Sequence, residues 1–239
     1  MKRTAVIVGT ALVLYGGIRT FAQPQGAAPA APAAPRGGAA AAPARAGRPP
    51  LFFREEWKQT PAGGEHPVTP ESLANPNLEL KLYGTTSKEV QLTGSATDEN
   101  NPTHVWTGLC STPCAVAFRE KNNLADLSGL ARIRWVTKMS GFHQVRPIVK
   151  LADGTWLVAD RADGSTADWL TSEIALADLR WLRLDINNIL TKGTLVEKPD
   201  LSKVDEIGFA DLTPGSGHGA GGWADVATIE VYAKPVKRQ

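Results

Sequence analysis

Acidic residues are missing from the first fifty positions of this 239-residue chain, where no Asp or Glu occurs. Six of its 26 basic residues lie there (Lys2, Arg3, Arg19, Arg36, Arg45 and Arg48), which leaves 20 Lys and Arg against 24 Asp and Glu in the remainder. The formal charge of +2 thus hides a remainder of −4, and bulk electrostatics give no reason to expect nucleic acid as a partner. No apolar run reaches the roughly 20 residues that a membrane-crossing helix needs; Ala5–Tyr15 has eleven. Cysteine is scarce, with only Cys110 and Cys114, and no His or Cys pair stands at metal-ligand spacing. Catalytic signatures are absent too: no G-x-S-x-G, no H-E-x-x-H, no P-loop lysine. The neighbouring carboxylates Glu55/Glu56 and Asp205/Glu206 would point to opposite faces of a strand, so neither pair flanks a glycosidic bond. An enzyme is therefore disfavoured, although carboxylates converging from separate strands stay open.

What the first fifty residues do contain is export chemistry. Lys2 and Arg3 precede the apolar run, and Thr20-Phe21-Ala22 puts small residues at the −3 and −1 positions of a cleavage site. Residues 1–22 are expected to be a secretory signal peptide, which makes the protein secreted or periplasmic. Residues 23–50 are almost entirely Ala, Pro and Gly. Such a segment buries too little apolar surface to order itself, and its prolines favour a semi-stiff extended spacer. Residues 51–239 remain for one domain. In an oxidising compartment Cys110 and Cys114, within CSTPC, are expected to form a short disulfide staple; two free thiols, or a redox or metal role, are the alternatives.

Period-two alternation recurs along that domain, and amphipathic helical patterns are scarce. Leu78, Leu80 and Leu82 alternate with Glu79, Lys81 and Tyr83; Ile133, Trp135 and Met139 with Arg132, Arg134 and Lys138; Val145, Val149 and Leu151 with Arg146, Ile148 and Lys150. Leu182, Leu184 and Ile186 alternate with Trp181, Arg183 and Asp185. Asp153-Gly154 between two apolar runs predicts a hairpin over Lys150–Trp156. Short helical turns are expected at Thr69–Ala74, with Thr69 as cap and Pro70 first, and at Ala175–Leu179. Eight or nine strands with one buried face each make an all-β, two-sheet antiparallel sandwich.

The order of features over residues 126–232 resembles the galactose-binding-like jelly-roll superfamily, with its carbohydrate-binding modules. The resembling residues are Asp126-Leu127-Ser128-Gly129 before strand Ala131–Lys138, the strand Gln144–Leu151, Trp169, Trp181 leading into Leu182–Ile186, Pro199 to Phe209, and Trp223 to Tyr232. The resemblance implies a jelly roll and a terminal strand introduced by Asp225; it names no ligand.

Two clusters carry the candidate binding chemistry. Trp106 and Trp181 fall on polar strand faces, where a sugar ring would stack its C–H face on an indole and take hydrogen bonds from Arg134, Arg146, Arg183 and Asp185; a solvated face with Arg lying across Trp is the alternative. Asp211 to Asp225 is a Gly-rich loop offering Asp211, His218, Trp223 and Asp225, or else a plain connection. Asp98, Glu99, Asn100, Asn101, Asp205 and Asp225 are oxygen-rich enough for calcium as a possible ligand, with no EF-hand loop. The leading expectation is an exported, non-catalytic glycan-binding domain. A polysaccharide-acting enzyme on a similar sandwich is second, and an envelope structural or protein-interaction domain third.

Overall fold

Alternating sequences become strands here because each strand has an apolar side to bury. A computed structural model describes residues 47–59, 64–218 and 221–238; the expected signal peptide and most of the linker lie outside the described residues. The order is β1 (Leu51–Glu55), β2 (His66–Pro67), β3 (Leu78–Tyr83), β4 (Gln91–Thr93), β5 (His104–Trp106), β6 (Cys114–Glu120), β7 (Asn123–Asp126), β8 (Arg132–Met139), β9 (Val145–Leu151), β10 (Trp156–Ala159), β11 (Leu170–Ala175), β12 (Trp181–Arg183), β13 (Leu195–Val196), β14 (Val204–Asp211), β15 (Ala224–Tyr232) and β16 (Lys234–Lys237). Short 3-10 turns at Pro70–Ser72 and Leu176–Asp178 stand where helical turns were expected. Several strands have only two or three residues, too few to show a period, which is why the sequence suggested about half this number. Among the described residues no helix is long and apolar enough to cross a membrane.

Two antiparallel sheets form the sandwich. The seven-stranded sheet runs β11-β8-β15-β5-β4-β2, with β1 also on β15. The nine-stranded sheet runs β13-β12-β10-β9-β14-β6-β3, with β7 beside β14 and β16 beside β7. Leu92, Val105, Ile133, Trp135, Ile229 and Val231 of the first sheet join Val116, Phe118, Val149, Leu157, Ile207 and Phe209 of the second in one core. The β9–β10 hairpin pairs Trp156 with Lys150, and Gly154 supplies the positive φ of +88° that its turn requires. Glu55 is buried at the end of β1; it accepts the backbone N–H groups of Trp57, Ala74 and Asn75 at 2.8, 2.8 and 3.0 Å, tying down the approach to β3. Folded structure reaches slightly into the expected linker: Pro49 is buried, and the Pro50 carbonyl accepts the N–H of Ala233 at 3.1 Å.

The nine-stranded sheet departs from the expectation of one buried face per strand. Its outer side carries a second apolar cluster of Ala115, Ala117, Ile148, Trp156, Val158, Leu184, Ile189 and Ala210, with Tyr83, Leu182 and Ile186 packed against it. The parity read for residues 181–186 is right but the faces are exchanged. Trp181 is 2% exposed in the core between the sheets, and Leu184 lies in the outer cluster. Trp181 is therefore corrected from a ligand plate to a core residue: covering both faces of a sheet with apolar atoms removes the contrast that tells inside from outside.

Cys110 and Cys114 are disulfide-bonded, with Cα atoms 6.3 Å apart. Opening so short a loop with Cys110→Ser/Cys114→Ser is expected to cost about 2 kcal/mol, read as a lower midpoint in urea unfolding with the strand signal retained. Trp181→Ala is expected to cost about 3–5 kcal/mol, whereas Trp181→Phe costs much less, because the indole N–H has no hydrogen-bond partner to lose.

Candidate functional site

Register alone assembles the floor of a site on the outer face of the seven-stranded sheet. Asp225 on β15 stands opposite Trp106 of β5 and opposite Lys138 of β8. Thr93 of β4 stands opposite His104 of β5. The intervening residues Leu92, Val105 and Val226 are fully buried in the core, so alternation sends Thr93, His104, Trp106, Lys138 and Asp225 outward together. Loops add the walls: Glu65 before β2, Asn101 before β5, Trp169 before β11, and His218 and Trp223 from the Gly-rich loop. These ten residues line one pocket of about 310 Å³.

The aromatic groups are held rather than loose. Trp169 donates its indole N–H to the Asn100 carbonyl at 3.1 Å and meets the edge of the His104 ring at 5.0 Å between centroids. Trp106 is 5% exposed and has the His218 ring over it at 4.8 Å, with His218 in turn 3.5 Å from a Glu65 carboxylate oxygen. Trp169 and Trp223 are half-buried and present more surface.

Beneath the Gly-rich loop a buried polar knot fixes its position. Asp211 Oδ2 accepts the Thr107 hydroxyl at 2.9 Å and lies 2.6 Å from His143 Nδ1, all three residues being buried. The Ser140 N–H reaches the Trp223 carbonyl at 3.0 Å, and the N–H groups of Gly215 and Gly217 reach the carbonyls of Cys110 and Gly108, both at 2.7 Å. A β-carbon on Gly222, at φ +109°, would come within 2.3 Å of the Ser140 carbonyl oxygen, so glycine is required for this approach. Through these bonds the Cys110–Cys114 staple bears on the loop that delivers His218 and Trp223.

Asp225 is the electrostatic centre. It is 5% exposed, and its Oδ1 has no hydrogen-bond partner, with His104 Nε2 3.6 Å away. Burial pushes its carboxyl up to about 7, against the smaller opposing effects of a Trp223 hydrogen bond and the Lys138 charge. Burial pushes the His104 imidazole down, so its neutral form is favoured.

Of the ten binding residues expected from sequence, the structure brings Trp106, His218, Trp223 and Asp225 to this pocket. Asp211 lies beneath it as an anchor. Arg134 is away from the pocket on β8, paired with Glu230 at 3.1 Å. Arg146 is occupied by the carbonyls of Ala159 and Asp160 at 3.3 and 2.8 Å. Asp185 caps its own turn through Asn187 and Asn188, and Arg183 and Trp181 belong to the other sheet. Arg146, Trp181 and Arg183 lie on strands of the nine-stranded sheet, Asp185 follows β12 of that sheet, and Arg134, though in the same sheet as Trp106, is held by Glu230 outside the pocket lining, so those five are corrected from this site. The oxygen-rich residues do not converge either: Asp98 closes a turn with Asn100 and Asn101, and Asp205 is engaged by Arg119, Arg238 and Lys150. Among the described residues no group of three His, Cys, Asp or Glu is placed to hold a metal. Sequence reasoning missed Glu65, Thr93, Asn101, His104, Lys138 and Trp169. His104 and Lys138 were signalled by alternation with Val105 and Met139; the loop residues Glu65, Asn101 and Trp169 carried no signal of where they meet.

No protein-family model matches the chain, and no curated protein matches it. Similar solved structures include a family 11 carbohydrate-binding module from Clostridium thermocellum in complex with a β-1,3-1,4-mixed-linked tetrasaccharide. It is 20% identical, with 74% of this chain and 99% of that chain covered and a TM-score of 0.42. A family 30 carbohydrate-binding module of a Clostridium thermocellum cellulosomal cellulase is 15% identical, with 76% and 98% covered and a TM-score of 0.40. TmCBM61 in complex with β-1,4-galactotriose is 12% identical, with 66% and 90% covered and a TM-score of 0.38. Likenesses at this level carry no conclusion about a ligand.

A carboxyl whose folded value is raised stabilises the fold below its unfolded value of 3.8 and loses that contribution as pH rises toward about 7. Asp225→Asn, which cannot ionise, is therefore expected to flatten the stability profile between about pH 4 and 7. Above pH 7 it is expected to exceed the parent by on the order of 3–4 kcal/mol. Urea unfolding of both proteins across that range checks it; parallel profiles would show that Asp225 ionises normally.

Proposed function

We propose that this pocket binds a glycan and that the chain is an exported, non-catalytic carbohydrate-binding protein. One observation carries the reading: indoles from three separate segments, Trp106, Trp169 and Trp223, line a single pocket with the buried Asp225, whose Oδ1 has no hydrogen-bond partner. A pyranose ring has an apolar C–H face for an indole and hydroxyls for the polar groups between them. Asp225 and His104, both buried and favouring uncharged forms, can exchange hydrogen bonds with hydroxyls without a full charge to desolvate. Lys138, Asn101 and Thr93 add further polar contacts around the ring. The export half of the reading rests on the composition of residues 1–22 and accords with a disulfide, which persists in oxidising compartments.

A second reading has its own support. The pocket contains two carboxylates, Glu65 and Asp225, and a carboxyl poised at about 7 suits a general acid. Incubation with a bound glycan distinguishes the two: release of reducing ends that disappears in Asp225→Asn would replace binding with hydrolysis.

On an array of soluble oligosaccharides the protein is expected to retain a defined subset. Trp169→Ala and Trp223→Ala are each expected to weaken that binding by roughly tenfold, with thermal unfolding verifying that both variants fold. Retention of no glycan at all would overturn the reading. Trp181→Ala serves as a contrast, since it acts on stability and touches no part of the pocket.

A further inference from the structure

Lys138 is the unanswered charge in the pocket. It lies half-buried on β8, in register with Asp225, and makes no ion pair among the described residues. Its nearest aromatic partner is Trp169, whose ring centre is 6.0 Å from the ammonium, at the outer limit of a cation–π contact. Two carboxylates share the pocket, yet neither neutralises it. Glu65 stands by His218, 3.5 Å away, and forms no ion pair with Lys138. Asp225 directly opposite feels the Lys138 charge, but burial raises its carboxyl to about 7, which favours the protonated form below that pH, and burial favours the neutral imidazole of His104 beside it. Below about pH 7 the half-buried Lys138 therefore has no fully ionised carboxylate beside it, and a ligand carboxylate would supply that partner where hydroxyls alone would not.

We propose that the pocket selects acidic glycans, with Lys138 binding the carboxylate of a hexuronic acid residue whose pyranose ring packs on the indoles around it. The inference rests on the glycan-binding reading and adds the class of sugar. A uronate brings both chemistries that the pocket lines up: an apolar ring face for Trp169 or Trp223, and an anion for Lys138 in a short charge-assisted contact. The ammonium, a compact point charge on a flexible stem, accepts such a carboxylate without demanding a forked geometry. Ionisation of Asp225 at higher pH would place a competing anion opposite Lys138, so uronate affinity should fall above about pH 7, with His104, His218 and Glu65 the other titrating groups facing that floor.

The test uses matched ligands and the full chain. Hexasaccharides of α-1,4-galacturonan, β-1,4-mannuronan and β-1,4-glucuronan are titrated calorimetrically at pH 6 beside their carboxyl-reduced counterparts, which keep linkage and length and lose only the charge. At least one uronate should bind ten times or more tighter than its reduced form, and raising NaCl from 50 to 500 mM should narrow that ratio. Lys138→Gln should bring the ratio close to one, while Lys138→Arg should keep most of it, which separates lost charge from lost folding. Reduced or other neutral oligosaccharides binding as tightly as the uronates would overturn the acidic-sugar inference and leave glycan binding standing. A ratio unmoved in Lys138→Gln would assign the selectivity elsewhere and overturn the role of Lys138. Binding of no oligosaccharide, charged or neutral, would overturn both.

Discussion

The candidate site depends on the burial of β15. That strand is hydrogen-bonded to β8 along one edge and to β5 and β1 along the other. Its inward side chains, Val226, Ile229 and Val231, are fully buried, so a one-residue slip would exchange core and surface over the whole strand. This constraint forces Asp225 outward and at the same time places it among Trp106, His104 and Lys138, where little water reaches. The unusual carboxyl is thus a consequence of how the core is packed beneath it. A register shift in β15 at Val226/Thr228 lets the strand carry both Asp225 and, further along, the Glu230 that pairs with Arg134 and Arg54.

The disulfide and the Asp211 knot have the same kind of importance, one layer further out. Neither touches the pocket volume, yet between them they decide where the Gly-rich loop lies. Cys110 offers its carbonyl to Gly215, and Asp211 joins Thr107 to His143 beneath the chain that leads to Trp223. A loop with so many glycines would be costly to order by its own contacts. Backbone hydrogen bonds to a stapled neighbour add to the side-chain contacts of Ser216 and His218 in restraining it.

Much of the fold was legible before any coordinates. Alternation at residues 132–139 and 145–151 marked strands, Asp153-Gly154 marked a hairpin, and Thr69-Pro70 marked a short helical turn; each lies where expected. The site was legible only where it was built from strands or from a loop with special composition. Trp106, Trp223 and Asp225 belong to those classes. Trp169, Glu65 and Asn101 come from irregular segments far apart in sequence, and nothing local ties them together.

The misassigned residues show where sequence reasoning loses its grip. Trp181, Arg183 and Asp185 were grouped with Trp106 because all fell on nominally polar faces, but parity says nothing of which sheet a strand joins. By itself the sequence determined the longer strands, several turns and the side-chain parity along those strands, since these follow from local sterics and the two-residue period of a strand. Only the tertiary structure decided which faces meet, because sheet pairing and the second apolar layer on the nine-stranded sheet are long-range outcomes of burial. For the same reason the position of Lys138 opposite Asp225 became visible only once β8 and β15 were paired.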